Sequence, residues 1–259
     1  MSAYLCPNCG FNNPPGMRFC GSCGARLAGV TGSLELKAPA PIAVPDQIGV
    51  MMGADLVERF RQAGLEAAGQ RRNVTILFVD LTSFTSLSQE IDDEEIYLLI
   101  QQYINVLVKD VYRYDGMVDK FMGDGLMAIF GAPIAHENTS ELAIRSALDM
   151  QSDMRQFSQE LQGRLGRELR LHIGLHTGPV IVGSIGSKLM MNYTAIGDTV
   201  NLASRLEEKC PPGEILASEA VYQATRALFE FARAAPLTLN GYLQPVSGYR
   251  VIGERAQPG

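Results

Sequence analysis

The chain has 259 residues, of which 46% are hydrophobic and 19% charged, a mixture typical of one large globular domain with or without small additions. Its formal net charge of −6 argues against sequence-independent binding of nucleic acid, which requires a basic face, so no nucleic-acid partner is expected. The sequence shows no secretory signal and no apolar run long enough to span a bilayer. We therefore expect a cytoplasmic protein without a membrane segment.

Four of the five cysteines fall within the first 23 residues and form two pairs of equal spacing, Cys6 with Cys9 and Cys20 with Cys23. Two such pairs supply four thiolates, the ligand set of a structural Zn²⁺ site. A segment this short cannot bury a sufficient core without a metal or disulfides, and two disulfides are disfavoured where thiols are kept reduced. The pattern predicts a zinc ribbon over residues 1–27, with a structural role or a role in docking a regulatory partner.

The rest of the chain divides by composition into four segments. Residues 28–50 are rich in proline, which predicts an extended, semi-rigid linker. Residues 51–70 carry apolar side chains at helical spacing, which predicts a lead-in helix. The main domain is expected at residues 71–253, and residues 254–259 form a short tail.

The main domain begins with six predicted elements in the order β-α-β-β-α-β. The strands are expected at residues 73–80, 117–122, 126–130 and 169–176, and the helices at residues 88–114 and 140–161. The acidic tract at residues 92–95 is interpreted as a first helical turn. The first helix has one apolar stripe, formed by Ile96, Leu99, Tyr103, Leu107 and Val111. The first strand is apolar on both faces, so it should lie in the centre of a sheet. An Asp-Gly pair within Gly123–Gly125 indicates a hairpin between the second and third strands. This order predicts an α+β fold of the ferredoxin-like kind, with flanking helices on a sheet that contains antiparallel strands.

Two aspartates lie where this fold would bring them together. Asp80 is at the exit of the first strand and Asp124 is at the tip of the predicted hairpin. Two carboxylates at close range need a cation between them or a raised pKa, and oxygen ligands beside a phosphate favour Mg²⁺ or Mn²⁺. The polar turn after Asp80 leads into a helix N-terminus, whose free backbone N–H groups suit a phosphate. Taken singly, either aspartate is better explained as the cap of a helix or a turn.

Four stretches of the main domain resemble the class III nucleotidyl cyclases, in the family's order and spacing. They are Phe78–Thr85, Lys120–Gly125, Gly174–Val180 and Tyr193–Arg205. The similarity covers nearly all of residues 71–253, and the Lys and Thr at the base-selecting positions resemble subgroup IIIb. The resemblance implies an adenylate cyclase, which converts ATP to 3′,5′-cyclic AMP and pyrophosphate at the interface of a homodimer.

The resemblance also implies a role for each residue that matches a motif. The ligands of two Mg²⁺ or Mn²⁺ ions would be Asp80, Asp124 and the backbone carbonyl of Leu81. The substrate-binding residues would be Lys120 and Thr194 at the base and the amides of Phe84 and Thr85 at a phosphate. The catalytic residues would be Asn201, which orients the ribose, and Arg205, which stabilises the transition state. One subunit would supply the two aspartates and its partner the other side chains, so a symmetric dimer would contain two complete sites.

The physical chemistry of the base-selecting pair favours ATP. A lysine ammonium only donates hydrogen bonds, so Lys120 can meet the acceptor N1 of adenine but not the N1–H donor of guanine. The Thr194 hydroxyl can accept a hydrogen bond from the adenine 6-amino group. A guanylate cyclase would be expected to carry a carboxylate in place of Lys120.

Asn201 and Arg205 lie four residues apart on a predicted helix that Asp198 would cap, so both side chains share one face. A guanidinium beside the reacting α-phosphate would stabilise the charge that develops in the transition state. Without the resemblance, a solvated helix face would explain this pair better.

Two departures from the family pattern bear on function. Ser83 replaces a glycine that is usual in the phosphate turn, and Asn240 stands where the family commonly has a lysine that reaches the triphosphate. The loss of that charge leaves open a catalytically weak or silent cyclase-like domain that binds nucleotide and relays a signal. His172 and His176 share one face of a strand; zinc binding is conceivable there, but a hydrogen-bonded structural role is preferred. Cys210, at a predicted helix end, is expected to be a buried thiol.

Overall fold

The computed structural model describes residues 4–6, 8–10, 12–13, 69–82, 84, 91–165, 168–187 and 190–256. The chain divides into two compact units, Met1–Ala40 and Pro41–Gly259. The predicted linker at residues 28–50 lies outside the described residues, as does the predicted lead-in helix up to residue 68. None of the helices within the described ranges is long and apolar enough to cross a membrane.

In the first unit, a short hairpin contains the first cysteine pair. β1 (Tyr4–Leu5) pairs antiparallel with β2 (Asn12–Asn13). Between the two strands, the Gly10 N–H donates to the Cys6 carbonyl oxygen at 2.9 Å and closes a tight turn. Cys6 is buried and Cys9 is exposed. The chain therefore turns sharply around this pair, as a metal knuckle requires.

The described part of the second unit has a mixed sheet flanked by helices. Its elements are β3 (Gln70–Leu81), α1 (Asp93–Arg113), β4 (Met117–Met122), β5 (Gly125–Phe130), α2 (Thr139–Leu165), β6 (Leu171–Ser187), β7 (Met190–Ile196), α3 (Asp198–Lys209), β8 (Ile215–Ser218), α4 (Glu219–Thr225), β9 (Phe229–Arg233) and β10 (Gly248–Glu254). The strand order is β4-β5-β3-β6-β8-β10-β9, with β7 paired to β6. The first six elements have the predicted β-α-β-β-α-β order, and the ferredoxin-like α+β fold is confirmed.

β3 and β6 extend well beyond their predicted ends. β6 runs to Ser187 instead of residue 176 because its second half pairs with β7, and Pro179 lies within the ladder opposite Asn73. The extension of β6 also gives Gln70 a partner, Val182, so β3 begins at Gln70. That residue belongs to the strand and not to the predicted lead-in helix.

β3 is the central strand, as its two apolar faces predict. It pairs with β5 on one side and with β6 on the other. Leu77 and Val79 pack into the core beneath α1 and α2, while Ile76 and Phe78 pack into a second cluster that includes Ala203 of α3. Burial on both faces fixes the end of β3, where Asp80 lies.

α1 begins at Asp93, later than the predicted residue 88, and its first turn is acidic as predicted. The Asp92 carboxylate accepts a hydrogen bond from the Glu94 N–H at 3.2 Å, which caps the helix. The predicted apolar stripe is confirmed, because the side chains at its last four positions are buried: Leu99, Tyr103, Leu107 and Val111. This face packs on the sheet beside α2.

α3 packs directly on β6 at a glycine. A Cβ at Gly174 would lie 2.3 Å from the Glu207 backbone nitrogen and 2.5 Å from the Ala203 carbonyl oxygen. The cap of α3 differs from the prediction, because Gly197 is the N-cap residue and no side chain caps the helix. Asp198 is instead the first helical residue, and its carboxylate accepts a hydrogen bond from the Tyr242 hydroxyl at 3.0 Å.

Candidate active site

Asp80 and Asp124 lie at the same end of the sheet because the β4–β5 hairpin packs against the end of β3. The two turn residues are Gly123, with a φ of 71°, and Asp124, and Gly125 is already the first residue of β5. The turn is therefore formed by Gly-Asp and not by the predicted Asp-Gly pair. Glycine at the first turn position is typical of a type II′ hairpin. A Cβ at Gly125 would lie 2.7 Å from the Val79 carbonyl oxygen and 3.0 Å from Asp80 Oδ1. Glycine is thus required for the close approach of the two aspartates.

The electrostatics of this end fit a divalent cation. Burial, and then the negative charge of Asp80, raise the pKa of Asp124 to about 6. The Tyr103 hydroxyl donates to the Asp124 carbonyl oxygen, and burial together with both carboxylates raises the pKa of Tyr103. The Asp80 side chain is 41% exposed, and its Oδ1 accepts from the Leu81 N–H at 2.9 Å. Two carboxylates that disfavour each other's charge are stabilised by a cation, and their oxygen atoms suit Mg²⁺ or Mn²⁺.

A histidine and a glutamate extend this cluster around Asp80. His172 lies opposite Asp80 in the β3–β6 ladder, and its Nε2 is 3.7 Å from Asp80 Oδ2 and 3.1 Å from Glu207 Oε1. Asp80, and then Glu207, raise the pKa of His172 against the opposing effect of burial. Burial raises the pKa of Glu207 to about 7. One ligand atom from each of the three residues lies within 4.8 Å of the others, so this set also has the geometry to hold a metal ion.

The two histidines of β6 therefore differ. His176 has the expected structural role, because its Nδ1 lies 2.8 Å from Ser218 Oγ and burial lowers its pKa to about 4. His172 has no hydrogen bond to Nε2 within the described part of the chain and faces two carboxylates instead. The expectation for Cys210 is confirmed: the thiol is buried and donates to the Glu214 carbonyl oxygen at 3.2 Å, and burial raises its pKa to about 12.

The two predicted base-selecting residues lie side by side. Lys120 Nζ on β4 is 3.4 Å from Thr194 Oγ1 on β7. The same Nζ is 3.0 Å from Asp119 Oδ2, a carboxylate whose side chain is fully buried. Lys120 and Thr194, which are 74 positions apart in the chain, thus form one donor–acceptor pair at the surface of this unit.

The predicted catalytic pair lies on α3. Asn201 is exposed and Arg205 is partly exposed one helical turn later, so both can be reached by a ligand. Arg205 forms an ion pair with Glu208 on the same helix. The opposite face of α3 is packed, with Ala203 buried and Val200 partly buried.

The remaining predicted ligands lie partly within and partly outside the described residues. Leu81 is buried at the end of β3, and Phe84 is partly buried against the core. Thr85 lies outside the described residues, as do Ser83 and the cysteine pair Cys20 and Cys23. Asn240 is exposed in a turn that follows the buried Leu239.

The fold, together with Asp80 and Asp124 at one end of its sheet, is that of a nucleotide cyclase domain. Residues 66–253 match the family described as the adenylate and guanylate cyclase catalytic domain, and residues 5–27 match a zinc-ribbon domain. The chain belongs to the adenylate and guanylate cyclase catalytic domain family, and it carries a zinc-ribbon domain in addition.

Two of the curated relatives carry the name adenylate cyclase. Adenylate cyclase 1 of Rhizobium meliloti is 34% identical over 188 residues, which are 72% of this chain and 28% of the relative. Adenylate cyclase of Anabaena cylindrica is 32% identical over 144 residues, 54% of this chain and 28% of the relative. The chain thus spans just over a quarter of the length of these curated relatives.

The similar solved structures include both an adenylyl and a guanylyl cyclase. The adenylyl cyclase CyaB from P. aeruginosa matches with a TM-score of 0.70 and 32% identity, over 74% of this chain and 99% of that structure. The guanylyl cyclase Cya2 matches with a TM-score of 0.68 and 32% identity, over 72% of this chain and 95% of that structure. Because the two are equally identical to this chain, these structures leave the choice of base to the site itself.

Three residues of the site were not selected from the sequence. His172 was assigned a structural role because its register with Asp80 cannot be seen in the sequence. Glu207 follows Arg205 by two positions, which on a helix predicts a different face. Asp119 precedes Lys120 in a strand, where adjacent side chains normally point to opposite faces.

Proposed function

We propose that this chain is an adenylate cyclase that converts ATP to 3′,5′-cyclic AMP and pyrophosphate. The observation that carries the proposal is the 3.4 Å contact between Lys120 Nζ and Thr194 Oγ1. An ammonium beside a hydroxyl offers a donor for adenine N1 and an acceptor for the 6-amino group, whereas guanine presents a donor at N1. The relatives of Rhizobium meliloti and Anabaena cylindrica that carry the name adenylate cyclase support this choice.

In this proposal Asp80, Asp124 and the Leu81 carbonyl hold Mg²⁺ or Mn²⁺. The fit rests on the raised pKa of Asp124, because a buried carboxyl beside another anion is stabilised in its charged form by a cation. When bound, such ions lower the pKa of the ribose 3′-hydroxyl and neutralise charge on the phosphates.

The chain's own residues position the substrate. Asn201 orients the ribose so that its 3′-oxygen faces the α-phosphorus, and the backbone amides of Phe84 and Thr85 hold a phosphate. Arg205 exchanges Glu208 for the α-phosphate and stabilises the charge that develops there. This exchange costs little, because the pair with Glu208 is partly exposed and such pairs contribute about 1 kcal/mol or less.

We further propose that the active form is a homodimer. Large apolar side chains are exposed on β4, β6 and β7, and the Lys120–Thr194 contact brings β4 and β7 together. The exposed apolar side chains are Phe121, Met122, Ile181, Ile185 and Ile196. Exposed apolar patches on a soluble domain mark interaction surfaces. A second copy would cover these side chains and supply the other half of each site.

For the first unit we propose a structural Zn²⁺ held by Cys6, Cys9, Cys20 and Cys23. The turn that the Gly10 N–H closes onto the Cys6 carbonyl suits the first pair of ligands. Such a site needs reduced thiols, and the proposed reaction needs ATP, so we place the protein in the cytoplasm. A regulatory partner at this unit is part of the same proposal.

The test is ATP turnover by the purified chain with Mg²⁺ or Mn²⁺, measured as cyclic AMP and pyrophosphate. The wild type should form cyclic AMP from ATP and little cyclic GMP from GTP. Asp80→Ala should lower the rate by about 100-fold or more, because it removes a metal ligand. Asp153→Ala, which removes a carboxylate of α2 that pairs with Lys109, is the matched control and should retain activity.

Absence of product with either metal, at a concentration where the dimer forms, would contradict the proposal. The alternative is then a catalytically silent signalling domain that binds nucleotide. Asn240 would be the first residue to test, because Asn240→Lys restores the charge that the family pattern contains.

A further inference from the structure

Asp119 is a fully buried carboxylate directly beside the base-selecting lysine. Its side chain is 0% exposed, whereas that of Lys120 is 51% exposed, and the two charged groups are 3.0 Å apart. We infer that Asp119 is a positioning residue that holds the Lys120 ammonium in place and so determines base selection. The inference rests on the proposed function, because Lys120 can select a base only if the chain binds a nucleotide.

The burial of Asp119 is what makes this ion pair informative. Among the described residues, neither carboxylate oxygen of Asp119 has a hydrogen bond. A buried carboxylate is costly unless a cation is paired with it. The ammonium of Lys120 is therefore attracted to one location, although its long side chain would otherwise sample many rotamers.

A β-bulge brings the two side chains together. In the β4–β5 ladder Val118 lies opposite Ala128 and Lys120 lies opposite Met127, so Asp119 is the extra residue. In a regular strand, side chains at adjacent positions point to opposite faces. The bulge removes that alternation and re-aims a side chain, which is a common use of bulges near active sites.

The position of the ammonium explains how it would read a base. A lysine ammonium has three donors. The ammonium forms an ion pair with Asp119 and donates one hydrogen bond to Thr194 Oγ1, which leaves a donor for an acceptor on a ligand. Held in this way, the ammonium donates a hydrogen bond to adenine N1, and it cannot move away from the N1–H of guanine, which is also a donor. Without Asp119 it would both lose contact with adenine and tolerate guanine.

The test is Asp119→Asn, which keeps the shape of the side chain and removes its charge. Steady-state kinetics with ATP and GTP should show KM for ATP raised by about fivefold or more with kcat nearly unchanged, because a positioning contact is lost. The ratio of kcat/KM for ATP to that for GTP should fall by about tenfold. Lys120→Ala should lose the same selectivity, and adding Asp119→Asn to it should cause no further loss.

The matched control is Asp110→Asn, since Asp110 is a second buried aspartate with no hydrogen bond to its carboxylate oxygens in the described part of the chain. This variant should keep the wild-type ratio. Thermal unfolding adds a readout that does not depend on turnover: Lys120→Ala should lower the unfolding temperature by stranding the Asp119 charge, and the double variant should recover it. A merely structural Asp119 would alter stability and leave the ATP-to-GTP ratio at its wild-type value, which would overturn the inference.

Binding of α,β-methylene-ATP and of the matching GTP analogue separates this inference from the proposed function. If the wild type forms no cyclic AMP but prefers the ATP analogue, and Asp119→Asn loses that preference, the inference stands and the proposed activity fails. Equal preference in the wild type and in Asp119→Asn contradicts the inference, whether or not the wild type is active.

Discussion

Asp110 is a single carboxylate that links the stability of this fold to pH. Its side chain is buried in α1, and neither oxygen has a hydrogen bond within the described ranges. The nearest cation in an ion pair with it is Arg113, at 3.6 Å. Burial, and then the charge of Asp153, raise the pKa of Asp110 from 3.8 to about 6. The folded protein therefore favours the protonated form of this group.

Asp110→Asn should stabilise the protein near neutral pH and not in acid. Because the pKa in the folded state is above that in the unfolded state, the contribution of Asp110 is most favourable below pH 4 and is lost as the pH rises through 6. The substitution should raise the free energy of unfolding by about 3 kcal/mol at pH 7.5, with little effect at pH 4, as measured by urea denaturation. Asp93 is an exposed carboxylate of the same helix, so Asp93→Asn should change the free energy of unfolding little. An equal gain at both pH values would exclude this explanation.

At the residue scale, the sequence identified the chemistry but not the contacts. Asp80, Asp124, Lys120 and Thr194 could be selected because each lies in a motif with characteristic spacing. The contacts of Asp80 with His172, and of Lys120 with Asp119, depend on strand register and on a bulge. Register is set by pairing across the sheet, which one strand's own sequence does not determine.

At the scale of elements, the packing of α3 on β6 positions the predicted catalytic pair. Gly174 permits this packing because a side chain there would overlap the helix backbone. Backbone atoms cannot move aside as the end of a flexible side chain can. A substitution at this position should therefore shift the helix that carries Asn201 and Arg205.

Gly174→Ala should lower both stability and activity. The added Cβ would lie 2.3 Å from the Glu207 nitrogen, so we expect a loss of about 3 kcal/mol in the free energy of unfolding. Turnover at a temperature where the variant is still folded should also fall, because α3 is displaced. Gly253→Ala is the matched control, since a Cβ there meets nothing within 4 Å. Wild-type stability and turnover in Gly174→Ala would show that α3 does not depend on this contact.

Elements with a strong local pattern were predictable, and elements defined by their partners were not. The apolar stripe of α1 and the two apolar faces of β3 identified a helix and a central strand. The second half of β6 was not predicted, because pairing with β3 and β7 is what keeps the chain extended through Gly178 and Pro179. The cap of α3 was misassigned for a related reason, because Asp198 bonds to the distant Tyr242.

At the scale of the whole molecule, the proposed dimer makes a quantitative prediction. Asp80→Ala and Arg205→Ala would each inactivate both sites of a homodimer. Mixed in equal amounts, they should form heterodimers in which one of two sites has an intact Asp80 from one subunit and an intact Arg205 from the other. Half of the dimers would then have half of their sites active, so activity should recover to about a quarter of the wild-type value.

Subunit exchange must be shown for this experiment, for example by native mass spectrometry of the mixture. A mixture of Asp80→Ala with Asp124→Ala is the matched control, because both changes affect the same half of each site and no heterodimer site is complete. Full inactivity of the first mixture despite exchange would mean that each subunit's site uses its own Asp80 and Arg205.

The bulge at Asp119 has a consequence beyond the choice of base. β4 is an edge strand of the sheet, and an edge strand offers unpaired backbone groups to any other extended chain. A bulge disrupts the regular ladder, and a lysine placed on the edge opposes the docking of another strand. The residues that we assign to reading adenine would thereby also protect the protein from edge-to-edge aggregation, so selection for solubility and selection for substrate would act on the same pair of residues.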